Sequence, residues 1–317
     1  MHLKPPFDQS RGEVVAVENW TLDDGFPVFP TGQKPKRALF CPAPAPHRFL
    51  ISDHRYLLKE PMGYHSQQIW SEVFAYKLSR HLPVDVPPAF LAHDARQGRS
   101  GVLVEFFYGH IGQPEARLVH ARDGFQARRM AFNAKSGSLH DNIALSRLHN
   151  VEETTRWWAR TIAFDTLIGN TDRHSENWGF LVTRGKDGRP AYAMTPAFDN
   201  GSSLGWVTRD ADIAATMREP RFARFIANGR HHFAWTAADD DAARGHAALA
   251  ARFVSLRPDA GRSMEPFAIL TDTTLDTVLQ ECVSFTDFAV AFTAQRAEFV
   301  RAQVIARRAA LLQCLGG

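Results

Sequence analysis

Short alternating apolar runs open this chain, and helical spacing takes over in two later stretches. Between residues 12 and 60 the runs EVVAVENW, FPVF, RALF, HRFLIS and RYLLK are rich in β-branched or aromatic residues. Asp-Gly, Pro and Thr-Gly punctuation separates them, so they predict strands. From Gln67 to Leu82 the pattern turns helical, with Ile69, Val73, Phe74, Tyr76, Lys77 and Leu78 forming a stripe near a 3.6-residue period. VPPAFLA and GVLVEFFY predict two more strands, the second so apolar that both its faces are expected to be buried. The region up to Tyr108 therefore reads as a small lobe of strands and one helix.

Residues 109 to 150 are polar and Gly-rich, carry Arg117, Arg122, Arg128 and Arg129, and predict a connecting segment with a short helix at most. VEETTRWWARTIAFDTLIG predicts a helix, with Asn150 and Glu153 placed to cap its start and Gly169 to end it. A loop follows, then a strand (WGFLVT), a KDGR turn and a second strand (AYAM). Beyond about Asp210 the pattern is helical, and the last helix is expected over Phe285 to Leu312, with Phe288, Val290, Phe292, Phe299, Val300, Val304 and Ile305 as its apolar positions. The expected fold class is α+β and bilobed: a β-rich N-lobe over residues 1–108 and a mainly helical C-lobe over 109–317.

Composition adds little to this and excludes several classes. The 317 residues are 44% hydrophobic and 22% charged, as in an ordinary globular protein, with no internal repeat. A net charge of +3, from 37 basic and 34 acidic residues, is too small to argue for nucleic-acid binding. Cys41, Cys282 and Cys314 are odd in number and scattered, which suits a reducing compartment rather than a disulfide framework. No apolar run approaches 18 residues and MHLKPPFDQS has no apolar leader core, so a soluble, cytoplasmic protein off the membrane is expected.

The chemistry concentrates between Thr166 and Gly205. Asp172 and Asn177 stand in a D-x-x-x-x-N spacing, and Asp199 follows after one strand-loop-strand in D-x-G. Phosphoryl transfer uses this order: the first Asp receives a hydroxyl proton, and the Asn and second Asp hold magnesium against nucleotide phosphates. Taken singly, Asp172 reads equally as a turn cap, Asn177 as a cap of the next β-turn and Asp199 as an Asx-turn. Their joint spacing favours the kinase reading, and the hairpin between Asn177 and Asp199 returns the chain to its starting edge. His174 is placed to fix the loop; Arg173 suits orienting it, meeting a phosphate, or simply facing solvent. His231 and His232 read as structural or surface, since neighbouring side chains diverge.

Lys59 ends an apolar strand, where it would project toward phosphates, and Glu72 on the next helix is its candidate partner, with Glu60 in competition. FPTGQKPK, with Thr31, Gly32 and Lys34, offers backbone N–H groups and lysines for an anion nest, or is an exposed basic turn. No GxGxxG or GxxxxGK[ST] occurs. The VLVEFF strand would wall the adenine, with backbone groups around Glu105 to Phe107 reading the base edge.

These residues resemble the HipA-type kinases and, at the loop, the phosphatidylinositol 3/4-kinases. Asn170, Asp172, His174 and Asn177 match the family pattern N-x-D-x-H-x-x-N, and TPAFDNGSSLG matches around Asp199. The resemblance implies a two-lobed protein-kinase-like fold using ATP and Mg2+, with Asp172 as base and Asn177 and Asp199 as metal ligands. It implies transfer to Ser or Thr of a protein substrate, and in some members a toxin role with a DNA-binding antitoxin as partner. TGQKPK is similar to the phosphate loop and YLLK to the lysine strand. Thr31 stands in a loop where several members carry an autophosphorylated serine. The length suits compact, HipT-like members without the extra N-terminal subdomain. A lipid or small-molecule kinase using the DRHxxN loop, and a catalytically silent binding module, are the competing readings.

Overall fold

The computed structural model describes residues 6–25, 36–128 and 138–316. A six-stranded sheet occupies the N-terminal part, built from β1 (Val15–Ala16), β2 (Thr21–Leu22), β3 (Lys36–Phe40), β4 (Arg55–Lys59), β5 (Ala89–Asp94) and β6 (Arg99–Glu105) in the order β1-β5-β6-β4-β3-β2. All pairings are antiparallel except β1 with β5. HRFLIS forms no strand, and FPVF lies outside the described residues. In β4 the alternation buries Tyr56 and Leu58, while β6 is buried from Gly101 to Glu105, as its unbroken apolar run requires.

Helix α1 (Gln68–Ser79) lies against this sheet, and every one of its residues is buried, not one stripe alone. The other side is covered by distant chain: Trp70 packs on Phe285, Phe288 and Phe292 and donates its indole N–H to the Val290 carbonyl (2.7 Å). Those phenylalanines were expected inside the last helix. The helix instead starts nine residues later, as α10 (Ala294–Cys314), capped by the Thr293 hydroxyl on the Arg296 N–H (3.1 Å). Burying three rings around Trp70 outweighs their helical spacing. Lys77, on α1, is tied to Asp8 (2.7 Å) and Glu281 (2.9 Å).

Within 109 to 150 the described residues, 109–128 and 138–150, are more ordered than their composition suggests. It holds β7 (Ala116–His120), α2 (Ala121–Ala127) and α3 (Leu139–Leu148). β7 joins β8 (Gly179–Arg184) and β9 (Pro190–Met194) in a three-stranded sheet of that order, so the expected hairpin gains an edge strand. β7 is nowhere fully buried, which hid it from pattern reading. Helix α4 (Thr154–Ile168) packs against α7 (His246–Leu256), α8 (Pro258–Ala268) and α10. No side chain caps its start, because Asn150 and Glu153 both take left-handed backbone (φ 53°) rather than the extended form of a cap. Its end is Gly169, at φ 66°, where an added Cβ would strike the Arg307 guanidinium. Helices α5 (Asp210–Thr216), α6 (Arg221–Ala227) and α9 (Asp272–Val283) complete the helical part.

Candidate active site

Gly169 turns the chain out of α4 into a loop held from behind. Asp165, on the last turn of α4, is wholly buried and receives two bonds from Arg173, from Nε (3.0 Å) and Nη2 (2.8 Å). Arg173 also donates to the carbonyls of Asn177 (3.2 Å) and Phe198 and to the Asn200 amide oxygen (2.7 Å). All five of its N–H donors are thereby used. Burial works to lower its pKa and the Asp165 carboxylate more than offsets this, so Arg173 stays charged. It is not a surface arginine: it joins the Asp172 loop to the Asp199 loop.

Asn170 shapes the turn between them. Its amide donates to Asp165 (3.1 Å) and its amide oxygen accepts from the Asp172 N–H (3.0 Å). His246, on α7, reaches the Asn170 carbonyl (3.0 Å), and buried His231 contacts Thr166 (3.2 Å). Burial lowers the His231 pKa to about 3, and both rings remain neutral. On this base Asp172 stands with a side chain 45% exposed, His174 Nε2 lying 3.8 Å from one oxygen and the Ser202 hydroxyl 3.4 Å from the other. Asn177 donates to the Asp172 carbonyl (2.7 Å), which fixes the amide and leaves its oxygen as the end a cation would use.

The opposite wall comes from the sheet. Lys59 Nζ lies 2.6 Å from Glu72 and 3.0 Å from Asp199. Burial lowers the lysine pKa, but the two carboxylates outweigh it and hold the group charged. Glu72 is the partner rather than Glu60, whose carboxylate is taken by Arg37. The second Glu72 oxygen accepts the Asn200 N–H (3.0 Å), and Ser71 bonds the Ser203 carbonyl (3.0 Å), so α1 grips the Asp199 loop twice. Asp199 takes a left-handed backbone (φ 58°), a conformation that costs a non-glycine residue about 1–2 kcal/mol. Lys36 Nζ stands 3.8 Å from its other oxygen. Thr31, Gly32 and Lys34 lie outside the described residues.

At the end of β6, the register sets Glu105 opposite Pro88. The Glu105 N–H donates to the Pro88 carbonyl (2.9 Å), but proline returns no N–H to the Glu105 carbonyl. Phe106 is occupied on both sides, by the Arg55 carbonyl (3.1 Å) and His54 (2.7 Å). Phe107 stacks on Phe198, next to Asp199, with ring centroids 5.4 Å apart. The Glu105 carboxylate points elsewhere: it is buried against His110 (3.0 Å), and burial raises its pKa.

Helix α10 braces the segment after Asp199 through a buried polar stripe that pattern reading passed over. Gln303 donates to the Leu204 carbonyl (3.2 Å), Arg296 to the Thr208 carbonyl (2.6 Å) and to Asp210 (2.9 Å), and Arg307 to Gln303 (3.1 Å). Gly205, at φ 64°, passes so close to α10 that a Cβ would lie 2.9 Å from Phe299.

The model of the HipA-like C-terminal domain matches residues 30–260, most of the chain. The chain belongs to this family. Its likeness to a curated serine/threonine-protein kinase, CtkA of Helicobacter pylori, reaches 38% identity over 77 residues, 23% of this chain and 22% of that relative. The aligned stretch thus spans about a fifth of the relative's length. In three dimensions the HipA-like fold seen here is similar to the crystal structure of the Helicobacter pylori proinflammatory kinase CtkA (TM-score 0.69, 17% identity, 95% of this chain and 96% of that one). A second likeness is to a Shewanella oneidensis HipA, solved with HipB and operator DNA (TM-score 0.50, 15% identity, 96% and 75%). At these identities the likeness is one of fold, and the mixed α/β, kinase-like architecture is common to all three.

Proposed function

We propose that this chain is an ATP- and Mg2+-dependent kinase that transfers the γ-phosphoryl group to a Ser or Thr hydroxyl of a protein. One observation carries the reading: Lys59, Glu72 and Asp199 meet within 3.0 Å contacts, facing a loop whose Asp172 is exposed and whose Asn177 is fixed. The donor set fits magnesium, since Asp199 and the Asn177 amide present hard oxygens and no sulfur or imidazole stands among them. When bound, the metal and nucleotide supply a phosphoryl group whose charge is neutralised for in-line attack.

The chain's own residues do the rest. Lys59, held by Glu72, meets the phosphates. Asp172 accepts the acceptor hydroxyl's proton, with His174 and Ser202 steadying its carboxylate. The Glu105 carbonyl and the Phe107 N–H, two residues apart at the strand end, would read the adenine edge. Thr31, Gly32 and Lys34 are proposed for the phosphate loop because Lys36, just beyond them, already reaches toward Asp199. A division near residue 108 into a nucleotide lobe and a catalytic lobe accords with a sheet that ends at Glu105.

Purified protein incubated with γ-labelled ATP and Mg2+ should label serine or threonine in a protein extract; label confined to lipid would overturn the reading. HipB accompanies the Shewanella protein, which supports an antitoxin partner here as a second proposal, tested by co-purification from the native cell. Among the described residues no helix is long and apolar enough to cross a membrane, and a cytoplasmic location is proposed with the kinase.

A further inference from the structure

Two segments that flank the site residues in sequence carry an aromatic platform that none of the roles above uses. Tyr64 is 66% exposed, meets the His65 ring at a tilt (3.8 Å, 37° between planes) and stacks toward Trp206 (6.3 Å, 17° between planes), with His65 stacked on Trp206 at 5.0 Å. Met62 and Val207, at 54% and 58% exposure, extend it. The platform joins two segments: Met62, Tyr64 and His65 come from between Lys59 and Glu72, and Trp206 and Val207 from after Asp199. Trp206 is four residues beyond Ser202, whose hydroxyl touches Asp172, so the chain keeps it within ~14 Å of that serine.

On the other side of Gly205 stands α6. A Cβ on Gly205 would lie 3.0 Å from the Phe225 ring, which places this helix against the same segment. Arg221 and Arg224 lie exposed on α6, with Arg218 just before it, and among the described residues these three arginines form no ion pair. Glu219 is the only acid among residues 218–224. Exposed apolar surface beside unpaired like charges marks an interaction site.

We propose that the platform and α6 together dock the acceptor protein, and that they select a Ser or Thr with a large apolar or aromatic residue within about four positions and acidic residues beyond it. The apolar side chain lies on Tyr64 and Trp206, and the acids meet Arg218, Arg221 and Arg224. This names a substrate class for the proposed kinase and rests on that reading.

Peptide binding tests it without turnover. Two fluorescein-labelled dodecapeptides, each with Phe three residues from a serine and four Glu beyond, one in each chain direction, would be titrated by anisotropy. At least one should bind about tenfold more tightly than its Lys-for-Glu counterpart. Arg221→Glu/Arg224→Glu should invert that preference, and Trp206→Ala should weaken the Phe peptide but not a Gly-for-Phe control. An unchanged preference after charge reversal, or a wild-type preference for the Lys peptides, would overturn the docking proposal. Calorimetry with Mg2+-ATP reads the kinase proposal separately: its binding should survive in all three proteins, and failure in the wild type with the peptide preferences intact would sink the kinase reading, and with it the acceptor's role, but not the docking surface.

Discussion

The two walls of the cleft are built on opposite principles. Behind the Asp172 loop the polar groups are buried and mutually satisfied: Asp165, Arg173, Asn170 and Asn200 bond one another and the backbone, and Arg173 has no donor to spare. On the sheet side Lys59 is shared between two carboxylates, one of them on a partly exposed aspartate in a left-handed conformation. A closed network resists rearrangement because every broken bond leaves a buried charge. Under the proposed reading, the shared lysine would exchange Asp199, whose side chain is 31% exposed, for phosphate oxygens. The loop is thus a fixed platform, and the lysine cluster, under the proposed kinase reading, is the part that would take up an anion.

The sharpest way to break this contrast is at the residue whose side chain stands outside both networks. Asp172→Ala should lower phosphoryl transfer by about 10²–10⁴-fold while leaving the denaturation midpoint nearly unchanged, since its side chain is 45% exposed. Transfer retained in the purified variant would move the base elsewhere. Arg173→Met should do the converse, costing about 3–5 kcal/mol of stability by stranding Asp165; a denaturant titration matching wild type would show the network to be dispensable.

Acid should loosen the rigid wall first. Burial holds His231 at a pKa of about 3, against about 6.5 unfolded, so between these values the unfolded chain binds the extra proton and stability falls as pH falls. The loss from pH 7 to pH 5 should be about 2 kcal/mol from this ring, and His231→Gln should flatten the profile by that amount. On the other wall, Asp199→Asn should raise the magnesium needed for nucleotide binding about tenfold, roughly 1.4 kcal/mol, without altering the acid profile; nucleotide binding with unchanged magnesium dependence would remove Asp199 from the metal.

Much of the sheet was legible because its strands alternate or run apolar between turn residues, as RYLLK and GVLVE do. The last helix was misplaced because Phe285, Phe288 and Phe292 carry helical spacing yet wrap Trp70, a contact more than 200 residues away in sequence. β7 was missed because an edge strand with partial burial leaves no periodic signal. At the site, the spacings of Asp172, Asn177 and Asp199 and the order of Lys59 and Glu72 could be read directly. Arg173 could not be assigned: an arginine in a polar loop looks the same whether it faces water or a buried carboxylate.

Local sequence by itself determined the chemical inventory of this protein and the order in which it appears, since spacing and turn chemistry act over a few residues. Tertiary structure decided which of those groups share a cavity. Several of the deciding contacts join positions far apart in the chain, as Ser202 is 30 residues from Asp172 and Asp199 is 140 from Lys59, beyond the reach of local spacing.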